Sequence, residues 1–258
     1  MIKQPEELAL MAESGRLLAS VFEALDQLRL EGMTTLQVND WVERFIVHDL
    51  KARPASKGQY GFAYVLNSSI DNVVCHGVPS ASDVLRSGSI VNLDITLEKN
   101  GYIADSSKMY LIGDVGHPAR RLVRATSEAM WKGIAAVRPG ATLGDIGFAI
   151  QRHAKAAGYT VVKEYCGHGI GREMHEEPQV LHYGRRGTGL VLQPGMTFTI
   201  EPMINQGRAA IDSSDDGWTV TTRDGKLSAQ CEHTVEVTER GVKVLTLRQE
   251  EQAMAAAL

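Results

Sequence analysis

Two aspartates and the turn between them are the first residues that could do chemistry. Asp94 lies in the run Ile-Val-Asn-Leu-Asp-Ile-Thr-Leu and Asp105 in Tyr-Ile-Ala-Asp-Ser-Ser-Lys-Met-Tyr, with Glu98-Lys99-Asn100-Gly101 between them. Short β-rich runs around such a turn read as a hairpin. A two-residue turn at Lys99-Asn100 sets Asp94 directly opposite Asp105, and one at Asn100-Gly101 makes them diagonal neighbours. Side chains alternate across a strand, so either register leaves both carboxylates on one face, whereas a three-residue loop would separate them. Most aspartates face solvent, but these are flanked by Val, Leu, Ile and Met. Two ionised carboxylates in such surroundings cost several kcal/mol unless a cation compensates them or one takes a proton.

Two further acids have the same character, Glu201 in Met-Thr-Phe-Thr-Ile-Glu-Pro and Glu232 in Ala-Gln-Cys-Glu-His-Thr-Val. Four such acids are too many for proton sharing to resolve, but divalent cations bridged by carboxylates resolve all of them together. A dinuclear site is therefore expected. The candidate nitrogen ligand is His168 in Cys-Gly-His-Gly-Ile-Gly, where glycines let the backbone crowd a centre. His76 and His175 each begin a His-x-x-Pro segment and are expected to approach that centre from opposite sides as hydrogen-bonding or proton-donating groups. His233 follows Glu232 directly and should face the other way. His48, His117, His153 and His182 read as ordinary surface or core histidines.

The elements that must position these groups follow from periodicity. Leu8, Met11, Leu18, Val21, Leu25 and Leu28 mark one face of a helix, and Val38, Trp41, Val42, Phe45 and Ile46 mark a second, capped at Thr35 and ending before Pro54. Residues 61–112 read mostly as strand. Pro118 opens a helix to about Val137, Thr142 with Asp145 makes a capping box for another, and strands and loops return from Tyr159. Helices then strands, twice, point to an internal duplication. Gly32-Met33-Thr34 and Gly140-Ala141-Thr142 open equivalent helices, and Leu85, Gly88 and Asp94 recur at the same spacing as Leu192, Gly195 and Glu201. The expected fold is α+β: a single domain over 1–258 with halves about 5–112 and 117–247, related by a pseudo-twofold, whose helices cover one face of a curved, largely antiparallel sheet. The tail 248–258 is expected to fray.

Composition narrows the function classes. The 258 residues are 43% hydrophobic and 22% charged, an ordinary globular mixture. A net charge of −4 offers no overall electrostatic footprint for nucleic acid or an anionic membrane. No membrane span or basic leader is read, and three cysteines without a Cys-x-x-Cys pair suit a reduced, cytoplasmic protein.

Seven ordered motifs, Val-Cys-His-Gly-Val-Pro, Asn-Leu-Asp-Ile-Thr, Asp-Ser-Ser-Lys-Met, Gly-His-Gly-Ile-Gly, His-Glu-Glu-Pro, Phe-Thr-Ile-Glu-Pro and Gln-Cys-Glu-His-Thr, closely resemble type I methionine aminopeptidases over residues 5–247. The resemblance implies the pita-bread fold and removal of initiator methionine when the next residue is small. It implies metal ligands Asp94, Asp105, His168, Glu201 and Glu232, with two ions of Mn, Fe or Co, or else Zn. It also implies catalytic roles for His76, His175 and Glu201, and a methionine pocket including Phe62, Asn67, Trp218 and Gln230. Ser56 and Asn67 stand where many members have cysteines, and Gln59 where they have a tyrosine. Expected partners are peptides and nascent chains, close to the ribosome, met by a monomer that binds neither nucleic acid nor membrane. Prolidase-like relatives usually carry a large extra amino-terminal domain, a metal-free adaptor would not need all five ligands, and neighbouring Cys75 and His76 point to opposite faces and cannot form a dyad.

Overall fold

A computed structural model describes all 258 residues. Its four long helices are α1 (Pro5–Leu25), α2 (Thr35–Arg44), α3 (His117–Ile134) and α4 (Leu143–Ala156). The first-half strands are β1 (Arg53–Pro54), β2 (Leu66–Ile70), β3 (Val73–Cys75), β4 (Ile90–Lys99) and β5 (Tyr102–Leu111). The second half supplies β6 (Thr160–Val161), β7 (Gly167–Gly169), β8 (Glu176–Val180), β9 (Thr197–Ile200), β10 (Met203–Asn205), β11 (Ile211–Ser213), β12 (Val220–Thr222), β13 (Ser228–Gln230), β14 (Glu232–Val237) and β15 (Val242–Val244).

Nine strands form the main sheet, in the order β1-β4-β5-β14-β9-β7-β8, with β2 also beside β4 and β15 beside β14. Every strand pair is antiparallel. Alternation divides the sheet into two chemically distinct faces. Val91, Leu93, Ile95 and Leu97 of β4 pack with Leu18, Phe22, Val38 and Val42 of α1 and α2. Phe198, Ile200, Val235 and Val237 of β9 and β14 pack with Ala129, Ile134, Ile146 and Ile150 of α3 and α4. Each fully buried Leu, Ile, Val or Phe is worth about 1.5–3 kcal/mol relative to exposure, so the helix-covered face fixes the register and commits the intervening residues to the opposite face.

The duplication is visible in the backbone. Gly32 N donates to Leu85 O and Leu85 N to Met33 O, while Gly140 N donates to Leu192 O and Leu192 N to Ala141 O. Isolated bridges Thr34↔Val84 and Thr142↔Val191 repeat the contact. Gly88 and Gly195 occupy the same place in the two halves with φ of 100° and 86°, a conformation costly for any side chain.

Three expectations need correction. The α2 cap is Thr34, whose hydroxyl accepts from Gln37 N while Gln37 Oε1 accepts from Thr34 N; the Thr35 hydroxyl instead donates to Ser80 O. α1 ends at Leu25, and Leu28 and Leu30 pack inward from the following turn, which keeps the phase of the apolar stripe without the helix. The tail does not simply fray. A 3₁₀ turn at Gln249–Glu251 is held by the buried Arg248, whose guanidinium donates to Glu251 Oε1 at 2.7 Å, and by His233. The capping box at Thr142 and Asp145 forms as expected.

Helix α1 crosses the β4–β5 hairpin closely. Ser14 Oγ donates to Tyr102 O at 2.9 Å, and a Cβ on Gly15 would lie 2.3 Å from Leu245 O. Gly15→Ala is accordingly expected to cost about 2 kcal/mol through backbone displacement, seen in urea as a lower unfolding midpoint at unchanged slope.

Candidate metal centre

The five residues expected to bind metal come from five consecutive strands of the main sheet. In sheet order they are Asp94 on β4, Asp105 on β5, Glu232 at the start of β14, Glu201 just after β9, and His168 on β7. All lie on the face turned away from the helices. The hairpin turn is Asn100-Gly101, both at positive φ, so Thr96 faces Asp105, Asp94 faces Ser107, and the aspartates are diagonal neighbours. Glu232 also pairs with Ser107 across β5–β14.

Three of these side chains, Asp105, His168 and Glu232, bring ligand atoms within 4.8 Å of one another. His168 Nε2 lies 3.5 Å from Glu201 Oε1 and 3.8 Å from Asp105 Oδ2. Burial, and then the neighbouring acids, push Asp105 and Glu232 well above the ordinary carboxylate range. Burial chiefly drives Asp94 to about 6 and Glu201 to about 8, with the Asp94 charge adding to the rise at Glu201. His168 falls to about 4, through burial and the adjacent His175, and is thus a neutral imidazole with a free lone pair. No lysine or arginine lines the cavity, and Asp105 Oδ1 is buried with no hydrogen-bond partner. Clustered oxygens, a neutral imidazole and an orphaned carboxylate oxygen fit divalent cations of the Mn, Fe, Co or Zn type.

This cluster lies in a cavity of about 560 Å³ whose walls include Phe62, Asn67, Trp218, His76 and His175. Phe62 and Trp218 meet edge to face at 5.0 Å. Asn67 sits directly across β2–β4 from Asp94, and its amide holds the Asp94 carboxyl down against the effect of burial. Ser56 is hydrogen-bonded to Thr96, and Gln59 reaches the wall. His175 packs against His168 with ring centroids 4.3 Å apart, and burial lowers the pKa of both His76 and His175. Gln230 is buried beside Glu201, with Nε2 3.4 Å from Glu201 Oε2. Pairing of β13 with β10 draws it there.

His233 faces away from the centre, as expected, bonded to Thr246 and Glu251. Sequence reasoning missed Thr199, whose hydroxyl donates to Glu201 Oε1 at 2.8 Å and accepts from His168 N; two-residue spacing before Glu201 was the available signal. It also missed Tyr60, an exposed ring stacked on His175 with its hydroxyl 3.3 Å from Nδ1. His182, read as ordinary, is fully buried and accepts from Glu201 N at 3.2 Å.

The model of metallopeptidase family M24 matches residues 9–239. The methionine aminopeptidase of Escherichia coli strain K12 is 46% identical over 250 residues, covering 97% of this chain and 95% of the relative. The crystal structure of methionine aminopeptidase from Rickettsia prowazekii superposes with a TM-score of 0.93 at 46% identity, covering 96% of this chain and 99% of that one. The Thermotoga maritima methionine aminopeptidase structure gives 0.92 at 36% identity, covering 95% and 98%. The chain belongs to metallopeptidase family M24 and, within it, to the methionine aminopeptidases of pita-bread fold. No helix is long and apolar enough to cross a membrane.

Raised carboxyl pKa values fix a pH dependence. Glu201 titrates at 4.5 when free of its surroundings and at about 8 in the metal-free fold, so the unfolded chain releases this proton first. Its contribution to stability is present below pH 4.5 and is lost as pH rises towards 8. Metal-free Glu201→Gln protein should gain thermal stability relative to metal-free wild type progressively across that window. Parallel Tm profiles for the two proteins would contradict this account.

Proposed function

We propose that this chain removes the N-terminal methionine, including initiator methionine, from peptides and nascent proteins whose second residue is small. The whole chain 1–258 serves as one catalytic domain, acting as a cytoplasmic monomer close to the ribosome. The observation that carries the reading is the convergence of four carboxylates and one imidazole in a cavity that also presents Phe62 and Trp218 to an apolar side chain. The small-second-residue preference is what the family resemblance of the seven motifs implies.

Asp94, Asp105, His168, Glu201 and Glu232 would hold two divalent cations, Mn, Fe or Co before Zn. What the cations supply when bound is Lewis acidity toward a carbonyl oxygen and toward water. Glu201 is placed to accept a proton and return it to the leaving amine, steadied by the Thr199 hydroxyl at Oε1 and the Gln230 amide near Oε2. Burial keeps His175 neutral, and a Tyr60 hydroxyl donating to Nδ1 leaves Nε2–H to donate to the substrate carbonyl oxygen. His76, neutral for the same reason and set edge-on to Tyr165, serves the leaving nitrogen. Phe62, Trp218 and Asn67 receive the methionine side chain, with the amide of Asn67 making one wall more polar than a thiol would.

Asp94→Asn should abolish cation-dependent turnover while retaining the native circular dichroism spectrum; wild-type activity in that variant would remove Asp94 from the ligand set. His175→Ala should lower kcat by about 10²–10³-fold, the cost of one donor at a developing oxyanion, with cation binding by calorimetry unchanged. Loss of cation binding would instead make His175 a ligand. The function itself is tested with cation supplied, by release of free methionine from a Met-Gly-containing peptide against cleavage of an Xaa-Pro peptide. Cleavage of the second alone would indicate a prolidase-type enzyme.

A further inference from the structure

The net charge of −4 averages two unlike helical layers. Residues 5–50, spanning α1 and α2, hold nine acidic side chains and three basic ones, whereas 117–157, spanning α3 and α4, hold seven basic and two acidic. The duplication has thus kept the fold and reversed the charge of its outer surface.

The positive layer contains a groove. Phe148, Ala149, Arg152 and His153 of α4 line its floor, with Arg138 after α3 on one side and Arg186 on the other. Two depressions of about 230 and 430 Å³ share Ala149 and Arg152 and so run together along the helix. Arg152 and Arg186 both place their guanidinium carbons over the Phe148 ring, at 5.9 and 4.7 Å from its centroid. Like charges gathered on one ring repel, and neither guanidinium has a carboxylate within ion-pair distance. Asp145, the one acid in the groove, accepts from Thr142 N, the Thr142 hydroxyl and Gly187 N and offsets part of the charge, chiefly towards Arg138, while Glu128 faces His153 and Arg124, so three guanidinium groups stand against one carboxylate. Arg138, Arg152 and Arg186 form no ion pair with either acid, and all three are exposed.

We propose that this groove binds the phosphodiester backbone of single-stranded RNA, at a surface whose lining residues are distinct from those of the hydrolytic cavity. Arginine forks match phosphate oxygens two at a time. The guanidinium faces not covered by Phe148 offer platforms on which bases stack. From Asp145 to Ala156 the floor runs roughly 16 Å at 1.5 Å per helical residue, room for a few successive phosphates. A membrane surface would call for large apolar side chains beside the arginines, and the groove offers only Phe148, already covered, and alanines. The inference stands apart from peptide hydrolysis, which a short peptide probes without reaching the groove.

The test is fluorescence anisotropy of a labelled oligouridine titrated with the cation-loaded enzyme at several salt concentrations. Binding is expected to weaken with salt at a log–log slope of about −2, the value for three phosphates on a single strand. The combined variant Arg138→Gln, Arg152→Gln, Arg186→Gln should lose roughly tenfold or more in RNA affinity, as removal of three phosphate contacts demands. Its turnover of a Met-Gly-containing peptide should match wild type. Unchanged RNA affinity in that variant overturns the proposal. So does equally tight, arginine-dependent binding of polyglutamate or of phosphatidylserine vesicles, which would make the partner an acidic protein or a membrane.

Discussion

Four carboxylates on one face of one sheet, with no basic side chain among them, are the constraint from which the rest of the molecule follows. Burial penalises each charge and each acid penalises its neighbours, so Asp105 and Glu232 are driven far from ordinary ionisation and Glu201 to about 8. Such a cluster survives only where a rigid frame prevents the acids from swinging apart. The apolar undersides of the same strands, locked against α1–α4, provide that frame. One residue of slip would carry all the acids into the helix-packed core.

The duplication explains how one chain assembles the cluster. Asp94 and Asp105 come from a single hairpin in the first half, and Glu201 and Glu232 from neighbouring strands β9 and β14 in the second. The halves meet where β5 pairs β14, so the two pairs of acids face each other across the seam. His168 lies on β7 beside β9, as Asn67 of the first half lies on β2 beside β4 and opposite Asp94; the imidazole in place of an amide is what breaks the symmetry of the frame.

The legible part of this structure is the part governed by period and chemistry. Alternation placed the acids and His233 on opposite faces, and the repeat of Leu, Gly and acid marked equivalent positions that the backbone bonds of Leu85 and Leu192 bear out. What escaped were interactions between residues far apart in the chain. The α2 cap moved by one position because Ser80, more than forty residues on, takes the Thr35 hydroxyl. The contact of Gln230 with Glu201 arises because β10 pairs β13 and sets Gln230 opposite Met203, two residues after Glu201. Tyr60, at φ 51°, is held over His175 by a loop whose conformation no local periodicity encodes.

The anchoring of the tail belongs to the same electrostatic problem. Arg248 is buried on the helix side of the sheet, its guanidinium over the Phe22 ring and bonded to Ser106 Oγ and Ser107 O, the residues that follow Asp105. Ser106 Oγ in turn donates to Glu232 O at 2.7 Å, so one cation ties together the two strands that carry Asp105 and Glu232. Its field lowers the Glu232 pKa, though far less than burial and the other acids raise it. A fixed cation on the cavity side would pair directly with one of the acids and compete with any ion for its oxygens. Placed behind the sheet and matched by Glu251, it steadies their backbone without discharging them, which leaves the cluster still in need of an external cation.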